Sequence, residues 1–236
     1  MKIMAIFAHP DDIEMTCAGT LANYANEGHG IIMCNLCDGA LGGNIPRKEL
    51  AEIRKEESIQ SAKLIGAKYI PAIFEDLDIY QDKPSRIKVA RIIRRVSPDV
   101  IITHPDVDYA PDHIITSKLV FEASFLSTLP NFDDDVDSIQ PKSGPAVPIY
   151  YSDASGGHNF DPTIWIDITK SYNLKKKMLS CHQSQVNWLK KWRNTDILKK
   201  LELQALYRGS QCGVKYAEVF KALKASQRVR ALKLLP

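Results

Sequence analysis

An imidazole and three carboxylates stand within six residues near the start of the chain, in the segment His9–Glu14. This segment follows Met1–Ala8, a nearly continuous apolar run that is typical of a strand buried on both faces. So many acidic groups beside a buried strand need a counter-charge, which a divalent cation supplies. His9 and one aspartate could each give a ligand, and the other aspartate could act as a base beside a metal-bound water. An acidic helix cap would explain one aspartate but not the histidine.

A second polar cluster, DYAPDH, also follows an apolar run and ends at His113. This histidine could complete a three-ligand site with His9 and one of the two aspartates, leaving a fourth position to water, which is the pattern of catalytic zinc. Asp112 could form a hydrogen bond to one of the ligands. His104 lies close by, at the end of the same run.

Strand and helix patterns alternate over the first part of the chain, which predicts an α/β fold with a doubly wound, mostly parallel sheet. Ligands bind at the carboxyl ends of such strands, so the polar segments Ala8–Asp12, Asp38–Asn44 and His104–His113 should converge on one crevice. No flexible linker is evident, which favours a single domain, 1–236, with a core over 1–130 and a C-terminal β/α elaboration over 131–236. The predicted strands are Met1–Ala8, Gly30–Cys37, Tyr69–Phe74, Val100–Thr103, Ile149–Asp153 and Ile164–Ile168. The predicted helices are 13–26, 46–65, 85–96, 111–127, 172–179, 195–207 and 216–225.

The composition narrows the class of protein. Of the residues, 44% are hydrophobic and 25% charged, and the net charge is +3, which is ordinary for a globular protein and favours neither a nucleic-acid nor a membrane partner. Five cysteines, an odd number, fit reduced thiols in the cytoplasm better than a disulfide framework. We therefore expect a cytoplasmic protein with no membrane span.

Three segments together, AHPDDIE, PDH, and CHQSQ with RGSQCGVKYAEVF, resemble the PIG-L/LmbE-like zinc-dependent N-acetylglucosaminyl deacetylases, which include the bacillithiol and mycothiol deacetylases. The resemblance extends from Met1 to Phe220. It implies a Rossmann-like fold, Zn(2+) as the cofactor, and removal of the N-acetyl group from an N-acetylglucosamine-type sugar or sugar conjugate with release of acetate. It also implies a homo-oligomer, either a trimer or a hexamer.

Matched position by position, the resemblance implies that His9, Asp12 and His113 bind the zinc ion. It implies that Asp11 is the general base, which takes a proton from the attacking water. Other cations remain open, because histidine and carboxylate ligands also suit iron, cobalt and manganese.

Fewer motifs indicate which residues contact the substrate. The resemblance places Arg54 in the substrate pocket and Tyr216 near the substrate, and the Gly-rich loop Asp38–Asn44 would contact the sugar through Gly43 and Asn44. Two further residues in family motifs, Glu14 and His182, would support the site.

One departure from the family concerns Ala110, which stands where the family usually has histidine. That histidine stabilises the oxyanion and protonates the leaving amine, and loss of one such donor typically slows turnover by about 10²–10³-fold. The alanine predicts a slow enzyme, a replacement by His104 or Asp108, or an impaired His→Ala variant, which the intact residues 111–113 favour. The alternatives are a catalytically silent, metal-containing sugar-binding protein and an unrelated metal-dependent amidase or phosphoesterase.

Overall fold

A single seven-stranded sheet forms the centre of the computed structural model, which describes residues 1–132 and 144–229. The strands, in chain order, are β1 (Lys2–Phe7), β2 (Gly30–Asn35), β3 (Lys68–Ile70), β4 (Val100–Thr103), β5 (Ile149–Ser152), β6 (Ile164–Asp167) and β7 (Ala217–Ala222). Their spatial order is β3-β2-β1-β4-β5-β7-β6. Strands β1 to β5 pair in parallel, whereas β7 is antiparallel to both β5 and β6. The predicted mostly parallel α/β sheet is therefore confirmed.

Helices cover both faces of this sheet. They are α1 (Asp12–Thr16), α2 (Ala18–Asn26), α3 (Arg47–Lys63), α4 (Lys83–Val96), α5 (Pro111–Leu126), α6 (Tyr172–Leu179), α7 (Gln183–Trp192) and α8 (Ile197–Ser210). Alternate residues of β1 face two separate cores: Met4 packs with residues of α4 and α5, and Ile3 packs with residues of α1, α2 and α6. Burial on both faces explains why β1 has no polar alternation.

The order of the strands creates a switch point between β1 and β4. The chain moves outward from β1 to β2 and β3, and it then returns to place β4 on the other side of β1. A crevice opens at such a point beyond the carboxyl ends of the two strands, where ligands bind in open α/β sheets. The segments that begin at Ala8 and His104 leave the sheet at this point.

The helix predicted over 216–225 is wrong, because this segment contains strand β7. Its apolar residues are spaced as in a helix, but Ala217–Phe220 are buried on both faces between β5 and β6. Glu218, in the middle of the strand, accepts hydrogen bonds from the backbone N–H groups of Gly19 and Thr20 and pairs with Lys175 at 2.5 Å. Tertiary pairing overrides the local pattern.

The single helix predicted over 13–26 is also wrong, because the chain breaks at Cys17 into α1 and α2. The Glu218 carboxylate binds the free N–H groups at the start of α2, which is a favourable position for an anion. Helix α7 was not predicted from the sequence. Among the described residues we find no helix with the length and apolar character needed to cross a membrane.

We expect Lys175→Met to lower the free energy of unfolding by about 3–5 kcal/mol, since it leaves the buried Glu218 carboxylate without its cation. Urea titration followed by circular dichroism measures the change. The exposed neighbour Lys177 gives a matched control, and Lys177→Met should change the unfolding free energy by less than about 0.5 kcal/mol. Equal losses in the two variants would contradict a stabilising role for the buried pair.

Candidate metal centre

The ends of β1 and β4 bring together two polar segments from distant parts of the chain. After β1 the chain passes through His9 and Pro10 into α1, and after β4 it runs to Pro111, the first residue of α5. Proline suits this position because a first-turn N–H has no helical partner. Since β1 and β4 are adjacent, His9 and Asp12 meet His113 at the switch point.

The three predicted metal ligands form one compact group. Potential ligand atoms of His9, Asp12 and His113 all lie within 4.8 Å of one another. Asp12 stands between the two imidazoles, with Oδ1 3.3 Å from Nε2 of His113 and Oδ2 3.5 Å from Nδ1 of His9. The arrangement supplies two nitrogen atoms and a carboxylate, a donor set that suits zinc and related divalent cations.

Carboxylates on the far side of each imidazole orient the two histidines. His9 Nε2 lies 2.9 Å from Asp112 Oδ2 and 3.2 Å from Asp76 Oδ1. His113 Nδ1 lies 3.2 Å from Asp108 Oδ2. A nitrogen that donates its proton to a carboxylate leaves the other nitrogen free to bind a cation, and this pattern is common behind metal-binding histidines. The expected contact of Asp112 with a ligand is therefore present.

Sequence reasoning missed Asp76 altogether. It follows β3, the third parallel strand, in a loop with no motif, and its carboxylate reaches His9. The position at the carboxyl end of a parallel strand was the available indication. Within residues 1–132 and 144–229, two other groups also have metal-ligand spacing, His9 with Asp76 and Asp112, and His104 with Asp108 and His113, but each uses a histidine of the first group.

The electrostatic state of the cluster fits a cation. Burial opposes protonation of His9, but hydrogen bonds to Asp112, Asp12 and Asp76 outweigh it and raise the pKa well above its usual value. The pKa of His113 is likewise raised to about 9, since Asp12 and Asp108 outweigh its burial. Burial disfavours the charged form of Asp12, yet His113 holds its pKa well below the usual range. The aspartates thus attract positive charge, which a divalent ion would supply in place of protons.

Asp11, the predicted base, lies beside this cluster in a conformation that few residues adopt. Its φ is 100°, in the left-handed region, and its Oδ1 is 3.5 Å from Nη2 of Arg54. Burial raises the pKa of Asp11 to about 6, and Arg54 opposes this shift. The carboxyl group is therefore mostly ionised at neutral pH and can still accept a proton.

Arg54 is committed to the protein and does not point to solvent. Its guanidinium donates to the carbonyl oxygens of Gly39 and Pro10, each at 2.5 Å. Gly39 has a φ of +66°, and a Cβ there would lie 2.0 Å from Nη1 of Arg54, so only glycine fits. These contacts join the loop after β1 to the loop after β2, and contact of Arg54 with the substrate stays a prediction.

The structure places the other predicted substrate residues away from the imidazoles. Gly43 packs on α3, where a Cβ would lie 2.5 Å from Cδ2 of Leu50. The Asn44 side chain faces α7 and lies 3.4 Å from Nε1 of Trp188. Tyr216 stacks on Tyr172 with ring centroids 3.8 Å apart, within a separate core. The structure does not bring Tyr216 to the candidate metal ligands.

Glu14 and His182 form a buried pair behind the site. Glu14 Oε1 lies 3.2 Å from Nε2 of His182 and accepts a hydrogen bond from the hydroxyl of Ser61 at 2.5 Å. Burial opposes both charges, but each partner favours the charged form of the other: the pKa of Glu14 is lowered and that of His182 is raised. The pair joins α1, α3 and the segment before α7, and the supporting role expected of it stays a prediction.

His104 also has a structural role. It is buried, its Nε2 accepts the backbone N–H of Ala8 at 3.0 Å, and its ring stacks on His113 at 3.8 Å. Burial lowers its pKa to about 4, which keeps the ring neutral. The ring is not presented to solvent, and its use in place of the histidine missing at position 110 stays an untested alternative. The other alternative, Asp108, has one carboxylate oxygen 3.2 Å from Nδ1 of His113.

The fold and this cluster define a class: an α/β protein with a candidate divalent-metal centre at the switch point of its sheet. Residues 4–124 match the family described as PIG-L, GlcNAc-PI de-N-acetylase. The chain belongs to this family, as the sequence resemblance implied.

Individual relatives agree with this assignment. The chain is 30% identical over 229 residues to diacetylchitobiose deacetylase of Thermococcus kodakarensis, covering 92% of this chain and 81% of that protein. The solved structure of N,N'-diacetylchitobiose deacetylase from Pyrococcus horikoshii matches with a TM-score of 0.79 and 27% identity, over 94% of this chain and 83% of the other. The 4-carboxy-2-hydroxymuconate hydratase of Pseudomonas putida matches with a TM-score of 0.80 and 21% identity, over 100% and 99%. This last likeness shows the fold alone.

Elemental analysis of protein purified without added metal tests the centre. We expect about one divalent cation per chain, lost in His9→Ala and in His113→Ala, and retained in His29→Ala, whose histidine is remote from the cluster.

Asp108→Asn should weaken metal affinity by about 10–100-fold, because it alters the hydrogen bond behind His113. Asp106→Asn, at an exposed neighbouring position, is the matched control. Full metal content in both histidine variants would contradict the site.

Proposed function

We propose that the protein is a zinc-dependent N-deacetylase that hydrolyses the N-acetyl group of an N-acetylglucosamine-type sugar or sugar conjugate and releases acetate. The observation that carries this proposal is the group formed by His9, Asp12 and His113, with the carboxylate of Asp11 beside it. Membership of the family, and the named activity of the Thermococcus kodakarensis relative, support the substrate class.

The chain's own residues divide the work between holding a cation and moving a proton. His9 Nδ1, His113 Nε2 and an Asp12 oxygen would hold zinc, as the carboxylates behind the imidazoles direct these atoms together. Zinc bound there supplies Lewis acidity, which polarises an amide carbonyl and makes water more acidic.

Asp11 would accept the proton of the water that attacks the acetamide carbonyl. Its pKa of about 6 suits this role near neutral pH, since the ionised form dominates while the driving force for accepting a proton is kept. The proton is then available to the amine that leaves as the carbon–nitrogen bond breaks. Arg54 supports the step by holding the Asp11 segment against the loop that contains Gly39.

Ala110 stands where the family usually has the histidine that stabilises the oxyanion and protonates the leaving amine. It precedes α5 with extended backbone, φ −92° and ψ 134°, which a histidine side chain would tolerate without strain. We propose that the alanine leaves the oxyanion and the leaving amine without the donor usual in the family, so that the chain turns over slowly. The rival function is a metal-containing sugar-binding protein without catalysis. Cytoplasmic location, a single domain and assembly as a trimer or hexamer stay predictions of the sequence.

Acetate release from N-acetylglucosamine glycosides by the zinc-loaded protein tests the proposed activity. We expect Asp11→Asn to lower kcat by about 10²–10⁴-fold, because the amide cannot accept the proton of water. Asparagine has nearly the same shape and tolerates the left-handed backbone at this position, so metal content should be unchanged. Unaltered turnover in the Asp11→Asn variant would show that another group is the base.

Ala110→His separates a slow enzyme from a protein that only binds sugar. If the missing donor limits turnover, the variant should release acetate about 10²–10³-fold faster than the unaltered chain. Val107→His, at an exposed position three residues earlier, controls for an added surface imidazole. Sugar binding with no acetate release in either variant would favour the binding protein. Hydration of an unsaturated carboxylic acid, measured in parallel, would instead favour the reaction class of the Pseudomonas putida neighbour.

A further inference from the structure

Among the described residues, six large apolar side chains are exposed on the loops that follow β2, β3 and β4: Ile45, Tyr80 and Val107, and the three whose backbone N–H groups connect to the candidate metal centre, Leu41, Leu77 and Tyr109. Leu41, Leu77 and Tyr109 are 45%, 57% and 87% exposed, respectively. They lie on the three separate loops that follow the parallel strands β2, β3 and β4. Because the carboxyl ends of parallel strands share one edge, the three side chains belong to the same end of the molecule as the candidate ligands.

A repeated hydrogen-bond relay joins the backbone of each of these residues to the histidines. The N–H of Leu41 donates to Asp76 Oδ2 at 2.9 Å, and the N–H of Leu77 donates to Asp112 Oδ2 at 3.1 Å. Both of these carboxylates lie within 3.2 Å of His9 Nε2.

The third relay runs to the other histidine. The N–H of Tyr109 donates to its neighbour Asp108, whose second oxygen lies 3.2 Å from His113 Nδ1. The same carboxylates that orient the imidazoles therefore fix the backbone positions of the three apolar residues relative to the metal centre.

The conformation of Leu77 is a second, independent observation. Its φ is 59°, in the left-handed region where glycine or asparagine is usual and a leucine is strained. A bulky apolar side chain that is both strained and solvent-exposed contributes little to the core. Strained residues of this kind cluster at ligand-binding sites, where the surrounding contacts hold them in place.

Two charged groups beside these loops, Arg54 and Glu75, have partners within the protein. Arg54, the guanidinium beside Asp11, is buried and bound to two backbone carbonyls. Glu75, which precedes Asp76, pairs with Arg47 at 3.0 Å. The candidate ligands themselves are only slightly open to solvent, since the side chains of His9 and Asp12 are 17% and 13% exposed. Because these side chains expose little surface, a substrate needs contacts beyond the reacting group to be held.

We propose that Leu41, Leu77 and Tyr109 form an apolar rim that binds an uncharged ring attached to the N-acetylated sugar, and so determines which substrates are accepted. The inference rests on the proposed function, which supplies the N-acetylated sugar. The ring is either an aromatic aglycone or the C–H face of a second sugar, both of which pack on aromatic and aliphatic side chains. The rim positions the substrate and takes no part in proton transfer.

Binding measurements test the rim separately from catalysis. Titration calorimetry on the zinc-loaded Asp11→Asn protein measures Kd for three probes: the methyl glycoside of N-acetylglucosamine, its phenyl glycoside, and the β-1,4-linked disaccharide of N-acetylglucosamine. We expect a ring-bearing probe to bind about tenfold more tightly than the methyl glycoside. Comparing Kd for the phenyl glycoside with Kd for the disaccharide shows whether an aromatic ring or a second sugar binds better.

Matched variants locate the effect. Adding Tyr109→Ala or Leu41→Ala should remove most of the tenfold preference and leave Kd for the methyl glycoside within about twofold. Leu77→Asn keeps a residue that tolerates the left-handed backbone and should act in the same direction. Phe125→Ala removes an aromatic side chain that is 56% exposed but lies about 18 Å along α5 from His113, and it should leave all three Kd values unchanged.

The outcomes separate this inference from the proposed function. Equal Kd values for the three probes, a preference that survives the rim variants, or no binding of any probe would overturn the rim. Acetate release by the wild-type protein without a ring preference would leave the deacetylase standing and remove the rim. A ring preference that depends on Tyr109, in a protein that releases no acetate, would support the rim and contradict the deacetylase.

Discussion

The site depends on carboxylates that lie behind imidazoles. The His9 ring is oriented by Asp112 and Asp76, and the His113 ring is oriented by Asp108. These carboxylates decide which nitrogen atom of each ring points towards Asp12. If either ring carried its proton on the other nitrogen, an N–H would face the centre and a lone pair would face a carboxylate, which disfavours both the hydrogen bond and cation binding. Each of the three aspartates comes from a loop that follows a parallel strand or from the helix after it, so the geometry of the sheet controls the chemistry of the rings.

The same arrangement explains the excess of negative charge at this edge of the sheet. Aspartates so close together repel one another, and burial increases the cost of each charge. Protonated imidazoles reduce this repulsion, as the raised pKa of His113 shows. A divalent cation would reduce it more strongly and would join the loop of His9 to the two helices that carry Asp12 and His113. Affinity for metal and local stability should therefore be coupled in this family member.

The sequence contains most of the centre because the ligands lie in short motifs. AHPDD and PDH each combine a histidine with acidic groups just after an apolar strand, so both the ligands and their meeting point follow from chain topology. Asp76 belongs to no motif and is recognisable only by its place after β3. Arg54 and Tyr216 sit in family motifs, but burial and partners decide what they touch, and a one-dimensional pattern does not contain that information. For the same reason β7 was predicted as a helix: its local spacing allows a helix, and only pairing with β5 and β6 excludes it.

Strand β7 also affects the order in which parts of this chain can fold. Its Glu218 caps the start of α2 across 199 residues of sequence, and no earlier residue supplies that carboxylate to Gly19. During synthesis the first strand and α1 leave the ribosome long before their buried partner exists. Contacts of such long range slow folding, since the loop must close before the contact contributes. We expect the packing of the N-terminal segment to be completed only when β7 inserts between β5 and β6.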